Sequence, residues 1–189
     1  MVRHMQVLFI RHGEADYSPC DARGYIGHGR DLAPLSAKGR EQAHAAAGDS
    51  RLAGAQLLLS SPYTRALQTA AIIGCRVGLA PVVEVDLHEW MPDTTFQYKG
   101  KEELLELCDD FTAHQGCWPA GEQRRWEQNE HIFRRSSAVL ERYMDYEKII
   151  VVTHGMVMRN FRFINDIHNC EIVAVEYTPG FQMARGWFV

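Results

Sequence analysis

Val7-Leu8-Phe9-Ile10-Arg11-His12-Gly13-Glu14 sets a short apolar run directly ahead of a cation, a histidine, a glycine and a carboxylate. The four apolar residues predict a buried strand over 7–10. A histidine at the carboxyl end of such a strand lies at the mouth of an α/β crevice, where ligands bind, and the glycine beside it lets the backbone come close to one. The pattern returns late in the chain as Val151-Val152-Thr153-His154-Gly155. Two strand-end histidines, each followed by glycine, are expected to face one crevice.

Outward from these strands, Arg11 to Pro34 reads as a long loop rich in Gly, Asp and Pro, and a loop of that length is expected to line a site. Ser36 is placed to cap a helix carrying Ala43, Ala46 and Ala47, and Leu57-Leu58-Leu59-Ser60 is the next strand. Ser61-Pro62 predicts a helix with serine at the cap and proline at the first position; Tyr63, Ala66, Leu67, Ala70, Ala71 and Gly74 follow helical spacing. Val82 to Val85 reads as a third strand, Leu87 to Gly100 as a loop, and two helical stretches fall between Lys101 and Tyr146. Ile149 to Val152 is a fourth strand, ahead of a helix from Met156 to about Ile164. Glu171 to Tyr177 and Gln182 to Val189 close the chain as strands. Alternating strands and helices predict an α/β fold, a three-layer α/β/α sandwich on a mainly parallel sheet. A single domain over 1–189 is expected, with a helical cap insertion at about 92–146 partly covering the site.

The 189 residues are 46% hydrophobic and 23% charged, enough to bury a core and too apolar for disorder. A formal charge of −4 argues against a nucleic-acid surface, so arginines that matter are expected singly, at a site. The polar start, Met1 to Gln6, and the short apolar run after it fit neither an export signal nor a membrane span, which leaves a cytoplasmic protein as the expectation. Five cysteines, Cys20, Cys75, Cys108, Cys117 and Cys170, show no Cys-x-x-Cys spacing and read as reduced, mostly structural thiols.

Arg65 falls in the first turn of the predicted helix, where the helix dipole disfavours a cation by roughly a few tenths of a kcal/mol. Something anionic should offset it, and a phosphate gripped by Arg11, Arg65 and helix-end amides would do so through two-pronged guanidinium contacts. Taken alone, Arg65 would read as a solvated surface arginine.

These residues resemble the histidine phosphatase superfamily, also called the phosphoglycerate mutase-like family. Arg11 to Glu14 match its Arg-His-Gly-Glu tetrad, and Leu35-Ser-Ala-Lys-Gly-Arg-Glu-Gln-Ala43 is similar to its helix start. Ser60-Ser-Pro-Tyr-Thr-Arg-Ala-Leu-Gln-Thr-Ala70 is similar to its Ser-Ser-x-x-x-Arg-Ala-x-Gln-Thr-Ala segment, and His154-Gly155 matches its late His-Gly. The resemblance spans about residues 7 to 160, in order.

It implies a phosphatase in which His12 attacks phosphorus in line to give a phosphohistidine that water then hydrolyses. Arg11, Arg65, His154 and Gly155 would hold the phosphate, with His154 protonated for that task and His12 neutral at its attacking nitrogen. Glu89, in Leu87-His88-Glu89-Trp90, is similar to the family's Leu-x-Glu proton donor, although Met91-Pro92-Asp93 departs from the glycine-rich continuation. Asp86, His88 and Asp93 are weaker candidates, read as solvated loop residues. Glu14 is assigned to support, because a carboxylate on the phosphate would repel it. Arg23, His28 and Arg30 read as solvated surface.

No cofactor and no metal is expected: His12, Glu14 and His154 could in principle ligate one, but the two arginines would repel a cation. Cys117 to Arg124 is one residue too long for a Cys-x5-Arg loop, and a Gly-x4-Gly-Lys loop is lacking. The expected partner is a small phosphorylated substrate or a phosphoprotein, not nucleic acid and not a membrane. Two other readings stay open: a phosphoglycerate mutase-type phosphotransferase, echoed faintly by Arg124-Arg125, and a non-catalytic phospho-ligand binder.

Overall fold

The computed structural model describes residues 3–186. Val7 to Ile10 extend at both ends into strand β1, Met5–Arg11, because every second side chain can be buried on one face of a sheet and its neighbour on the other. Val7 and Phe9 join one apolar cluster, Leu8 and Ile10 the other. Strands β2 (Leu57–Ser60), β3 (Pro81–Val83), β4 (Lys148–Thr153) and β5 (Ile172–Tyr177) complete a five-stranded sheet of order β3-β2-β4-β1-β5. The first four strands run parallel and β5 pairs antiparallel with β1 at the edge.

Both faces are covered. Helices α2 (Ala37–Ala47) and α3 (Thr64–Val77) close one, through Ala47, Ala66, Ala70 and Ile73 against Leu8, Ile10, Leu58, Ile150 and Val152. Helices α5 (Asn129–Glu141) and α6 (Gly155–Phe161) close the other, through Ile132, Val139, Leu140, Val157, Met158 and Phe161 against Val7, Phe9, Leu59, Ile149 and Val151. The three-layer architecture read from the alternation of elements is the one observed.

The 92–146 segment divides between two clusters. Its first helix, α4 (Lys101–Ala113), contributes Leu107 and Phe111 to a small separate core with Tyr98 and Trp126, while α5 belongs to the main core. The expected loop from 11 to 34 holds a short helix, α1 (Ser18–Asp21), and a 3-10 stretch over Gly27–Leu32. β3 starts one residue earlier than expected and stops at Val83, and Val85–Leu87 turn as 3-10 instead. Residues 182–186 form no strand: Ala184 N–H donates to Asn160 O at 2.8 Å, tying this stretch to α6 and away from the sheet. The rest of that expected strand, 187–189, lies outside the described residues. The five cysteines are unpaired, with Cys75 and Cys117 exposed, so the structural reading fits only part of the set.

The loop after β1 is held by a close backbone crossing. A Cβ on Gly13 would stand 2.4 Å from Gly39 O, and one on Gly39 would stand 2.1 Å from Glu14 O, so two glycines let the β1 loop lie directly on the first turn of α2. Gln42 accepts from Glu14 N–H at 2.9 Å, and Gln68 accepts from Leu35 N–H at 2.7 Å. Gly39→Ala is therefore expected to force the loop off α2 and cost about 1–3 kcal/mol, as overpacking of a filled interior does. Urea denaturation checks the loss; an unchanged midpoint would show that the crossing has slack.

Candidate active site

Register alone brings the two histidines together. β1 and β4 are parallel neighbours with Arg11 opposite Thr153, and His12 N–H donates to Thr153 O at 3.0 Å. His12 and His154 thus leave adjacent strands at the same level, with ring centroids 5.0 Å apart. Asn169, which the sequence gave no reason to single out, donates to His12 O at 3.0 Å and anchors the same turn.

His12 is nine-tenths buried and its Nδ1 lies 2.7 Å from Gly13 O. A carbonyl can only accept, so Nδ1 carries the proton and Nε2 presents its lone pair. Arg65 Nε–H points at that lone pair from 3.2 Å. Burial, Arg65 and Arg11 push the His12 pKa down to about 3, which keeps the ring neutral and nucleophilic at ordinary pH.

Arg65 sits at the second position of α3, but the helix starts later than Ser61-Pro62 suggested. Tyr63 is the cap, and the Ser61 hydroxyl is instead 2.7 Å from His154 Nε2. The Arg65 guanidinium stacks 5.0 Å over the Tyr63 ring, and its two terminal nitrogens lie 3.4 Å from Asp31 Oδ1. Asp31 is thus the anion that the helix-dipole argument required. The signal for it was a carboxylate in a functional loop, too common a feature to act on. Its neighbour His28 bonds Asp31 Oδ2 at 3.3 Å and Asp93 O at 3.2 Å, so His28 supports the site loop and is not a solvated residue. Arg23 and Arg30 turn away, to Pro19 O and Asp21.

His154 is fully buried at the cap of α6. Burial, His12 and Arg65 hold its pKa well below the usual histidine range, which favours the neutral ring in the free protein, whereas the protonated ring is expected with phosphate bound. Where the Ser61 hydroxyl donates to Nε2, the ring proton is on Nδ1. That atom and Arg11 Nε are two of four buried side-chain polar atoms without a hydrogen-bond partner among the described residues. Buried donors are rarely left unmatched outside functional sites. Arg11 also donates through Nη1 to Ile167 O, which fixes its guanidinium.

Glu89 Oε1 accepts from Trp90 N–H at 2.9 Å and from Met156 N–H at 3.2 Å, at the start of α6. Burial raises its pKa, while Arg65, Arg135 and Arg11 oppose the rise. Two of these cations also act on His12, so the carboxyl and the nucleophile share one field. Glu14 faces elsewhere: its carboxylate accepts from Ser36 Oγ at 2.8 Å and pairs with Lys38 Nζ at 3.0 Å, bracing the start of α2. Gly13 N–H donates to Thr69 Oγ1 at 3.1 Å, giving Thr69 a place in the same brace.

Asp93 is no solvated residue. It is fully buried and accepts from the backbone of Thr95, Gln97 and Tyr98 and from Arg125 Nη2 at 2.6 Å, organising the 93–98 turn. Asp86 serves through its carbonyl, which accepts from Arg135 Nη1, and His88 Nδ1 leans on Glu89 O at 2.7 Å. Among the described residues, no group of three or more His, Cys, Asp or Glu is placed to hold a metal ion, and no helix is long and apolar enough to cross a membrane.

A buried histidine pair, two arginines and a shielded carboxyl thus gather at the end of a parallel sheet, a set of donors able to hold a phosphate. A profile of the histidine phosphatase superfamily (branch 1) matches residues 7–188, and the chain belongs to that family. It is 26% identical over 209 residues to a probable phosphoglycerate mutase GpmB of Yersinia enterocolitica serotype O:8, covering 98% of this chain and 91% of that one. Its fold is similar to mycobacterial glucosyl-3-phosphoglycerate phosphatase, at TM-score 0.69 and 19% identity over 91% of this chain and 90% of the other. The alpha-ribazole phosphatase of Shigella flexneri aligns at TM-score 0.58 and 25% identity, over 82% and 77%.

The depressed histidines have a thermodynamic consequence. Unfolding returns His12 and His154 toward the ordinary value near 6.5, so below that pH the unfolded chain binds more protons. Their contribution to stability is complete above about pH 6.5 and declines as the pH falls, with a slope of up to about 1.4 kcal/mol per pH unit for each. Urea midpoints between pH 4.5 and 7.5 should fall on acidification, and less steeply in His12→Gln; parallel profiles would contradict the assignment.

Proposed function

We propose that this protein hydrolyses a phosphomonoester through a phosphohistidine on His12 Nε2. The observation that carries the reading is the fixed tautomer of His12, whose Nε2 lone pair faces the Arg65 guanidinium and accepts from its Nε–H at 3.2 Å until a phosphate takes that donor. In-line attack forms the N–P bond as the P–O bond to the leaving group breaks. The Glu89 carboxyl, whose pKa burial raises, gives a proton to the departing oxygen, and as a carboxylate it then takes one from the water that cleaves the phosphohistidine.

Arg11 Nε, the Arg65 guanidinium and His154 Nδ1–H supply hydrogen bonds to the equatorial oxygens, where phosphoryl transfer is stabilised by charge and position. His154 begins as a neutral donor, and the incoming dianion favours its protonation. The arginines supply the positive charge, so the reaction as drawn needs no metal. The substrate is a soluble phosphorylated metabolite or phosphoprotein, and the setting is the cytoplasm.

Two observations weigh against the alternatives. Arg124 lies 3.0 Å from Glu122, and Arg125 is 2.6 Å from both Asp93 and Glu103, so both already have partners within the 93–125 region, which counts against a role on a mutase substrate. A non-catalytic binder has no use for a shielded, raised-pKa carboxyl at Glu89. The names of the relatives divide between mutase and phosphatase, and the arginine geometry favours the second.

Phosphate release should be measured over a panel of phosphoesters with chelator present. His12→Ala is expected to be inactive, and Glu89→Gln to lower kcat by roughly 10²–10⁴ while substrate still binds. Acid-labile phosphate should be trapped on the native protein after rapid quenching. Activity abolished by chelator, or retained in His12→Ala, would sink the mechanism.

A further inference from the structure

Gly27–Leu32 turn as a 3-10 stretch, in which residues three apart stand on the same side. His28 and Asp31 are such a pair, and His28 Nδ1 lies 3.3 Å from Asp31 Oδ2. The other carboxylate oxygen, Oδ1, is shared by both terminal nitrogens of Arg65 at 3.4 Å. Asp31 thus stands between two cationic side chains, one assigned to the phosphate and the other without a part in that reading. Its contact with Arg65 is slack, since guanidinium–carboxylate bonds are ordinarily about 2.7–2.9 Å.

The His28 ring is set between two acceptors. Its Nε2 lies 3.2 Å from Asp93 O, a carbonyl that can only accept, and its Nδ1 faces the carboxylate oxygen. A neutral imidazole carries one N–H and would turn a lone pair on one of these oxygens; the imidazolium satisfies both. Asp31 raises the His28 pKa, against burial, and Asp93 adds to the rise. The Asp93 carboxylate itself is taken by Arg125, and the rings of Phe96 and Tyr98 pack on His28 at 4.3 and 5.8 Å. On the far side of Asp31 stand Arg65 and the Tyr63 phenol, whose pKa burial and Asp31 push up. The stretch itself is pinned: a Cβ on Gly27 would stand 3.0 Å from Tyr98 O, and Arg30 pairs with Asp21. A charge arriving at Arg65 is therefore answered by the Asp31 side chain and not by the backbone that carries it.

We propose that His28 is a positioning residue that takes over the Asp31 carboxylate when a phosphate claims the Arg65 guanidinium, so that the phosphate binds together with a proton. The inference rests on the phosphatase reading above, in which Arg65 receives the phosphate. A dianion at Arg65 repels Asp31, whose other cationic partner is the His28 ring at Oδ2. His28 therefore holds its proton more tightly in the complex than in the free protein. With the pKa higher in the complex, binding takes up a proton between the two values. Affinity is greatest below the free-protein pKa and declines as the pH rises toward the pKa of the complex. The free value is already raised from 6.5, so the window opens above that pH.

The probe is inorganic sulfate, a tetrahedral dianion that does not titrate in this range. It is added calorimetrically to the full chain from pH 6 to 9, in buffers of unlike ionisation enthalpy, so that the protons taken up are counted. His154 and Glu89 contribute uptake in every variant, and the difference between variants reports His28. Glutamine at position 28 can keep a hydrogen bond to either acceptor but cannot take a proton. His28→Gln is expected to lose part of the uptake and to bind sulfate about three- to tenfold more weakly than the native protein at pH 6, with near-native affinity at pH 9. Asp31→Asn, with no carboxylate to displace, is expected to bind more tightly than native at pH 9 and to be indifferent to His28→Gln. Should His28→Gln fail to fold, Asp31→Asn decides alone, because the native uptake must shrink in it. Equal uptake in native and variant proteins, or the same loss from His28→Gln with and without Asp31, as a packing role would give, would overturn the inference. So would a native protein that binds no sulfate. Phenyl phosphate turnover is read alongside. Proton-linked binding without turnover overturns the phosphatase reading and leaves the coupling standing; turnover with unlinked binding does the reverse.

Discussion

Everything at the site depends on the parallel pairing of β1 with β4. Parallel register puts Arg11 beside Thr153, and the next residue on each strand is a histidine. The main-chain bond from His12 to Thr153 continues the ladder one step past β1, so both rings are placed by backbone hydrogen bonds and not by flexible loops. A slip of one residue would turn Val7 and Phe9 to the wrong face of the sheet, so the cores on either side hold the register that the chemistry needs.

The fold was legible because its signals are local and strong. Two four-residue apolar runs, each one residue ahead of a His-Gly, and helices with small residues facing the sheet, leave few arrangements other than an alternating three-layer one. The boundaries that moved did so for tertiary reasons. Ser61 looks like a helix cap, but its hydroxyl is engaged by His154, a partner 93 positions away. A strand is expected from Gln182 onward, whereas Ala184, within 182–186, finds its hydrogen bond on α6.

Within the site, the residues that carry a motif were legible and the residues that complete it were not. His12, Arg65, His154 and Glu89 each follow a strand or open a helix, positions that sequence reveals. Asp31 and Asn169 enter through long-range packing. Asp93 shows the limit from the other side: a carboxylate in a loop is ordinarily solvated, but here three backbone amides and Arg125 make burial favourable. Protonation was the hardest property to foresee, because it depends on the depth of burial and on neighbouring cations, neither of which a single chain of letters displays.

The contact between Asp31 and Arg65 gives the site a threshold. A ligand that would use the full guanidinium has to outcompete a carboxylate already standing 3.4 Å away. A monoanion brings no more charge than Asp31 and gains little by the exchange, whereas a phosphate dianion brings twice as much. Asp31 would then act as an internal reference charge, setting phosphate esters apart from sulfate esters of the same shape before any part of the leaving group is read.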